Sequence, residues 1–182
     1  MTIWYSGDEV AIDVGRLSAV ASRLHSVLGS GALRCEDPSL TVLVDEWSLY
    51  FAEHAMALFD RLPLRAGFDR ASVVHVGAYG PALALIDQRS QEGEELFFFA
   101  GFVTGVLPVL RRDAAALAQR TGDIAEKSLR RSLAFFALDL EAMAVTGADR
   151  LSQLTTDAGS RALVNSLPST LPEITLRARR LA

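Results

Sequence analysis

Cys35 is the single cysteine in 182 residues, so the chain can form neither an internal disulfide framework nor a multi-cysteine zinc or iron–sulfur site. Histidine is nearly as scarce. His25, His54 and His75 are widely spaced, which argues against a His-rich metal site. Lys127 is the only lysine, and positive charge is otherwise arginine, a trait we read as base composition and not as function. The formal net charge is -4, whereas a general nucleic-acid binder needs a basic face for phosphate, so nucleic acid is not an expected partner. Glycine (13) and proline (6) are too few for a collagenous or disordered chain. With 50% hydrophobic residues, the composition is that of one globular domain, which buries roughly 70% of its unfolded surface at this size.

Long hydrophobic runs are also missing. Leu96–Leu110 is the greasiest stretch, but it contains Thr104 and Pro108 and is closed by Arg111, Arg112 and Asp113. A membrane span needs about 20 apolar residues, so this reads as a buried core helix. Met1–Val10 carries Asp8 and Glu9 and has neither a basic start nor an apolar core, so no signal peptide is expected. A cytoplasmic protein with no membrane partner is the expectation.

What is present is helical periodicity. Apolar residues recur every three or four positions in four segments. The first spans about 12–28, with Leu17, Val20, Leu24 and Leu28 in its stripe, Asp13 as a candidate cap, and Gly29-Ser30-Gly31 as its stop. The second opens at Asp37-Pro38-Ser39 and ends at Pro63, with Leu43, Trp47, Tyr50, His54 and Leu58 in line. Residues 64–81 read as a long connection holding one helical turn. The third helix covers 83–119, with a break at Glu92-Gly93 and a kink at Pro108. After Thr121-Gly122-Asp123, the fourth runs over 123–154 on Leu129, Leu133, Phe136, Leu140, Met143, Gly147, Leu151 and Leu154. Residues 155–182 form a tail with a short helix that ends in Arg177, Arg179 and Arg180, a solvated basic terminus. The expected fold is all-α: one domain over 1–182, an antiparallel four-helix bundle (about 12–154) with a long connection between helices 2 and 3. That is the ferritin-like topology.

The stretch from Val44 to Pro63, VDEWSLYFAEHAMALFDRLP, resembles the second helix of a ferritin-like group common in actinobacteria. Val27-Leu28-Gly29, the Gly105–Leu110 stretch, and Leu133–Gly147 with Asp139 and Glu141 are similar to the other three helices. The resemblance covers about residues 12–150 and implies a divergent branch of the ferritin-like superfamily. A dinuclear metal centre in that fold draws on a Glu from two helices and a Glu-x-x-His pair from each of the others. None exists here: Ser22, Phe51 and Ser72 stand three residues before the three histidines. Ala21 stands where the group tends to carry an acid, and Tyr50 and Phe51 where it carries histidines. No metal and no cofactor are expected, and the core is filled with aromatics.

Glu46 and Glu53 share a helix face about 10 Å apart, with Tyr50 between them. Asp139 leans toward the seam of the fourth helix, and Glu141 toward its flank. One reading has Glu46, His54 and Asp139 converging in a pocket lined by Trp47, Tyr50, Phe102, Phe136 and Met143. There a desolvated carboxylic acid would act as a general acid, and His54 would shuttle or orient its proton. The other reading leaves the glutamates in solvent and gives His54 one structural hydrogen bond. Phe97, Phe98, Phe99 and Phe102 surround the third helix, so they pack a core, line a ligand cavity or form a dimer face. Thr104 should bond back to the preceding turn, and Glu36 and Asp37 should hold the Cys35 thiol protonated.

Three functions follow. The first is a metal-independent bundle that binds an apolar small molecule, as a biosynthetic enzyme of acid–base or cyclisation type or as a carrier. The second is a residual oxidase or hydroxylase with a metal on Glu46, His54, Asp139 and Glu141. The third is a non-catalytic module that forms a homodimer or docks a partner through its aromatic face.

Overall fold

The computed structural model describes residues 7–121 and 127–174, and every regular element among them is helical. The first is α1, Gly7–Ala32. It runs straight through Gly29-Ser30-Gly31, which the sequence presents as a stop. The reason is tertiary. A Cβ on Gly31 would overlap the Phe98 ring, and one on Gly29 would lie 2.9 Å from Ser48 Oγ. These glycines let other elements approach the helix, and packing outweighs their poor propensity. Asp13 lies inside α1 and caps nothing; it pairs with Arg16 and Arg120.

Asp37 starts α2 (Pro38–Phe59) as expected, its carboxylate accepting from Ser39 N at 2.8 Å and Leu40 N at 3.2 Å. The connection that follows is more ordered than its composition suggests. It holds α3 (Arg70–Val73) and a 3₁₀ turn at Gly77–Tyr79 before α4 (Gly80–Gln91). The third expected helix is broken where Glu92-Gly93 suggests. Gly93, with φ +79°, separates α4 from α5 (Glu95–Ala100), which continues as a π-helical segment, Gly101–Val106, into α6 (Leu107–Arg120). Pro108 has no N–H to give the turn before it, and the chain widens into the π-helical segment directly upstream.

The fourth expected helix is α7 (Lys127–Leu154); its first residues, with Gly122 and Asp123, lie outside the described ones. Its buried residues are Leu129, Leu133, Phe136, Leu140, Met143, Gly147 and Leu151, the stripe that the sequence displays except for Leu154, which is half-buried. The tail forms α8 (Ala158–Thr170), capped by Asp157, with Leu167 buried. Arg177, Arg179 and Arg180 lie outside the described residues.

Specific contacts fix how these helices run. Ser18 Oγ donates to Ala55 O at 2.8 Å, and Ser48 Oγ donates to His25 O at 3.0 Å, so α1 and α2 are antiparallel. Asp37 meets Arg150, His54 meets Asp139 and Arg61 meets Ser132, so α2 and α7 are antiparallel as well. Arg111 pairs with Glu141 between α6 and α7. The Asp13–Arg120 pair and the Gly31–Phe98 contact set α1 against α5 and α6. No helix is long and apolar enough to cross a membrane, among the described residues.

Candidate functional site

The seam between α2 and α7 carries most of the expected site. Its inner layer is a ladder of rings. Trp47 stacks on Phe99 at 5.8 Å and tilts against Phe102 at 5.7 Å. Phe51 meets Phe102 and Phe136 edge-on at 5.9 and 6.2 Å. His54 closes the ladder, 4.7 Å from the Phe136 ring. Trp47, Phe102, Phe136 and Met143 are all buried. The packing is tight: a Cβ on Gly147 would lie 3.0 Å from Val103 Cγ2 and 3.2 Å from Trp47 Cη2. Four of the five residues expected to hold a substrate thus fill the core against one another, and Tyr50 stands half-buried at its edge.

His54 and Asp139 do come together. His54 Nε2 donates to Asp139 Oδ2 at 2.6 Å, with His54 buried and the carboxylate at the rim. Glu46 does not join them. It is exposed and accepts a 2.6 Å hydrogen bond from the Tyr50 hydroxyl, one helical turn on. That bond first, and the charges of Glu46, Asp139 and Glu53 with it, push the Tyr50 phenol above its ordinary range. Glu53 is exposed, and Glu141 turns away to Arg111.

This arrangement does not fit a ferritin-type metal centre. Such a centre needs inward carboxylates and histidines from four helices. Here Phe51, Phe102 and Phe136 occupy the interior, and Glu46 and Glu141 are engaged outside it. Among the described residues, no group of three His, Cys, Asp or Glu side chains is placed to hold an ion. Glu46, His54, Asp139 and Glu141 are therefore not gathered into one ligand set.

Other expectations on single residues stand close to the structure. Thr104 donates to Ala100 O at 2.7 Å, bonding back as expected. The Cys35 thiol is pushed up to about 11, by burial first, then by Glu95, then by Asp37. Glu95 sits far away in sequence and reaches Cys35 because its carboxylate accepts from the backbone N–H groups of Glu36 and Asp37.

Two features have no counterpart in the sequence reading. One is a polar cluster where the 3₁₀ turn meets α1 and α6. Tyr79, fully buried, donates to Asp113 Oδ2 at 2.7 Å, beside the Asp13–Arg16 and Asp13–Arg120 pairs. Asp13 and Arg16 carry an i,i+3 signal, but Tyr79 lies where no periodicity exists. The other is a pocket of about 200 Å³ beside the π-helical segment, between it and residues 168–174.

Comparisons with family profiles, with characterised proteins and with solved structures gave no significant match to this chain.

Proposed function

We propose that this chain is a ferritin-like antiparallel four-helix bundle without a metal centre, and that it works as a non-catalytic assembly module pairing with a second copy through the outer sides of α2 and α7. The observation that carries the reading is where large apolar side chains meet solvent. Val42, Leu49 and Met56 recur every seven residues on α2, and Leu138 and Val145 do so on α7, with Phe135 beside them; all six are exposed. Exposed apolar surface grouped in this way marks an interface.

Register supports a second copy as the occupant. With His54 level with Asp139, Leu49 stands level with Val145 and Met56 with Leu138. A two-fold axis parallel to the helices sets α2 of one copy on α7 of the other, so these pairs meet, and Asp60 comes to Arg131. The same pairing brings Glu46 and Glu53 near their symmetry mates. Added salt screens that repulsion and tightens association.

Light scattering after size exclusion tests this. A dimer is expected, dissociated by Leu49→Glu with Leu138→Glu and strengthened as sodium chloride rises. A wild-type monomer at high protein concentration and high salt would refute it.

Acid–base chemistry on an apolar small molecule is a second reading, and the His54–Asp139 contact favours it. Its measure is turnover or ligand affinity in Glu46→Gln, His54→Ala and Asp139→Asn. No change in any of the three removes it.

A further inference from the structure

The pocket beside the π-helical segment lies away from the α2–α7 face and has its own chemistry. It is lined by Ala82, Gly105, Val109, Leu171 and Ile174, with Thr104 and Glu173 as residues with polar side chains. π-Helical turns are rare and recur at functional sites. Gly105 lets Leu171 close on the helix, since a Cβ there would overlap Leu171 Cδ1.

Size limits the ligand. A dry apolar cavity of about 150 Å³ is known to hold benzene. A pocket of about 200 Å³ therefore takes one ring with a short side chain.

Polarity limits it further. The Thr104 hydroxyl spends its proton on Ala100 O, so toward the pocket its oxygen is an acceptor. Glu173 is an exposed carboxylate, and no cation pairs with it among the described residues. Both polar side chains are acceptors, and one is anionic. The complement is a cationic donor attached to an apolar ring.

We infer that this pocket binds a small arylalkylamine, its ring against Val109, Leu171 and Ile174 and its ammonium on Glu173.

Calorimetric titration of the full chain with 2-phenylethylamine, 2-phenylethanol and phenylacetate tests the inference. One saturable site is expected, with the amine about tenfold tighter than the alcohol through its charge-assisted bond, and phenylacetate weakest. Glu173→Gln should bring the amine down to the alcohol. Val109→Phe should fill the pocket and abolish binding with an unchanged melting temperature. Should that variant not fold, amide shifts of the wild-type chain decide. Perturbation confined to Thr104, Gly105 and residues 171–174 supports the site, and perturbation elsewhere overturns it. Equal binding of amine and alcohol, preference for phenylacetate, or no saturable binding at millimolar ligand overturns it as well.

Discussion

Tyr79 donates its phenolic hydrogen to Asp113 across 2.7 Å, which ties the long connection to α6. The ring is fully buried, and burial is the main cause that holds its phenol well above the ordinary range; the Asp113 hydrogen bond and charge add to it, while Arg112 and Arg16 oppose it. The folded chain thus keeps a proton that the unfolded chain releases near pH 10. Stability from this group is complete below that pH and declines as pH rises beyond it. Tyr79→Phe should cost about 1–2 kcal/mol at neutral pH, because Asp113 loses a buried donor. Its stability should fall less than the wild type's between pH 9 and 11. Urea melts across that range measure both effects.

Gly31 and Phe98 make a sharper case. A methyl group at position 31 would overlap the ring, and Phe98 is buried among its neighbours and has nowhere to move. Gly31→Ala should therefore destabilise by about 1–3 kcal/mol, although alanine is the better helix former. Gly7→Ala, where a Cβ meets nothing within 4 Å, is the control and should be neutral or mildly stabilising. Chemical denaturation with an unchanged m-value separates packing strain from a changed denatured state.

The His54–Asp139 bond joins α2 to α7 at the edge of the aromatic ladder. Asp139 is exposed enough for water to weaken the pair. A double-mutant cycle with His54→Ala and Asp139→Ala should give a coupling of about 0.5–1.5 kcal/mol. A coupling near zero would mean that the two side chains are held by their own helices and that the contact ties nothing.

The sequence displays best what depends on a single helix. The α7 stripe, the Asp37 cap, the break at Gly93 and the back-bond of Thr104 are local, and each residue type carries its own signal. It misleads where a distant element decides. Gly29 and Gly31 look like a stop, and only Ser48 and Phe98 make them a contact surface. The same holds at the candidate site. His54 and Asp139 lie on seam positions that periodicity finds, so their meeting is legible. Glu46 lies one hundred degrees from Trp47 on the wheel, and its choice of Tyr50 over the interior depends on how fully the rings fill that interior. The pocket at the π-helical segment depends on where residues 168–174 return, which no local pattern encodes.

Asp37 joins two kinds of stabilisation that pH and substitution can separate. Its carboxylate caps α2 and also pairs with Arg150 on α7. The hydrogen bond from Leu40 N–H is the largest cause holding its carboxyl below the usual range; the Ser39 N–H and Arg150 add to it, and partial burial opposes it. A group with a lowered folded-state pKa stabilises fully above its unfolded value, near 3.9, and loses that contribution as pH falls through the folded one. Asp37→Asn keeps a capping oxygen and loses the charge, whereas Asp37→Ala loses both. At pH 7 the melting temperature should therefore fall by a few degrees in Asn and further in Ala. Once pH falls through the lowered folded-state value, the wild type protonates and should approach Asn, while Ala stays lowest. A wild-type advantage over Asn that persists unchanged into strong acid would show that the Arg150 pair and the carboxylate charge contribute nothing to holding α2 against α7.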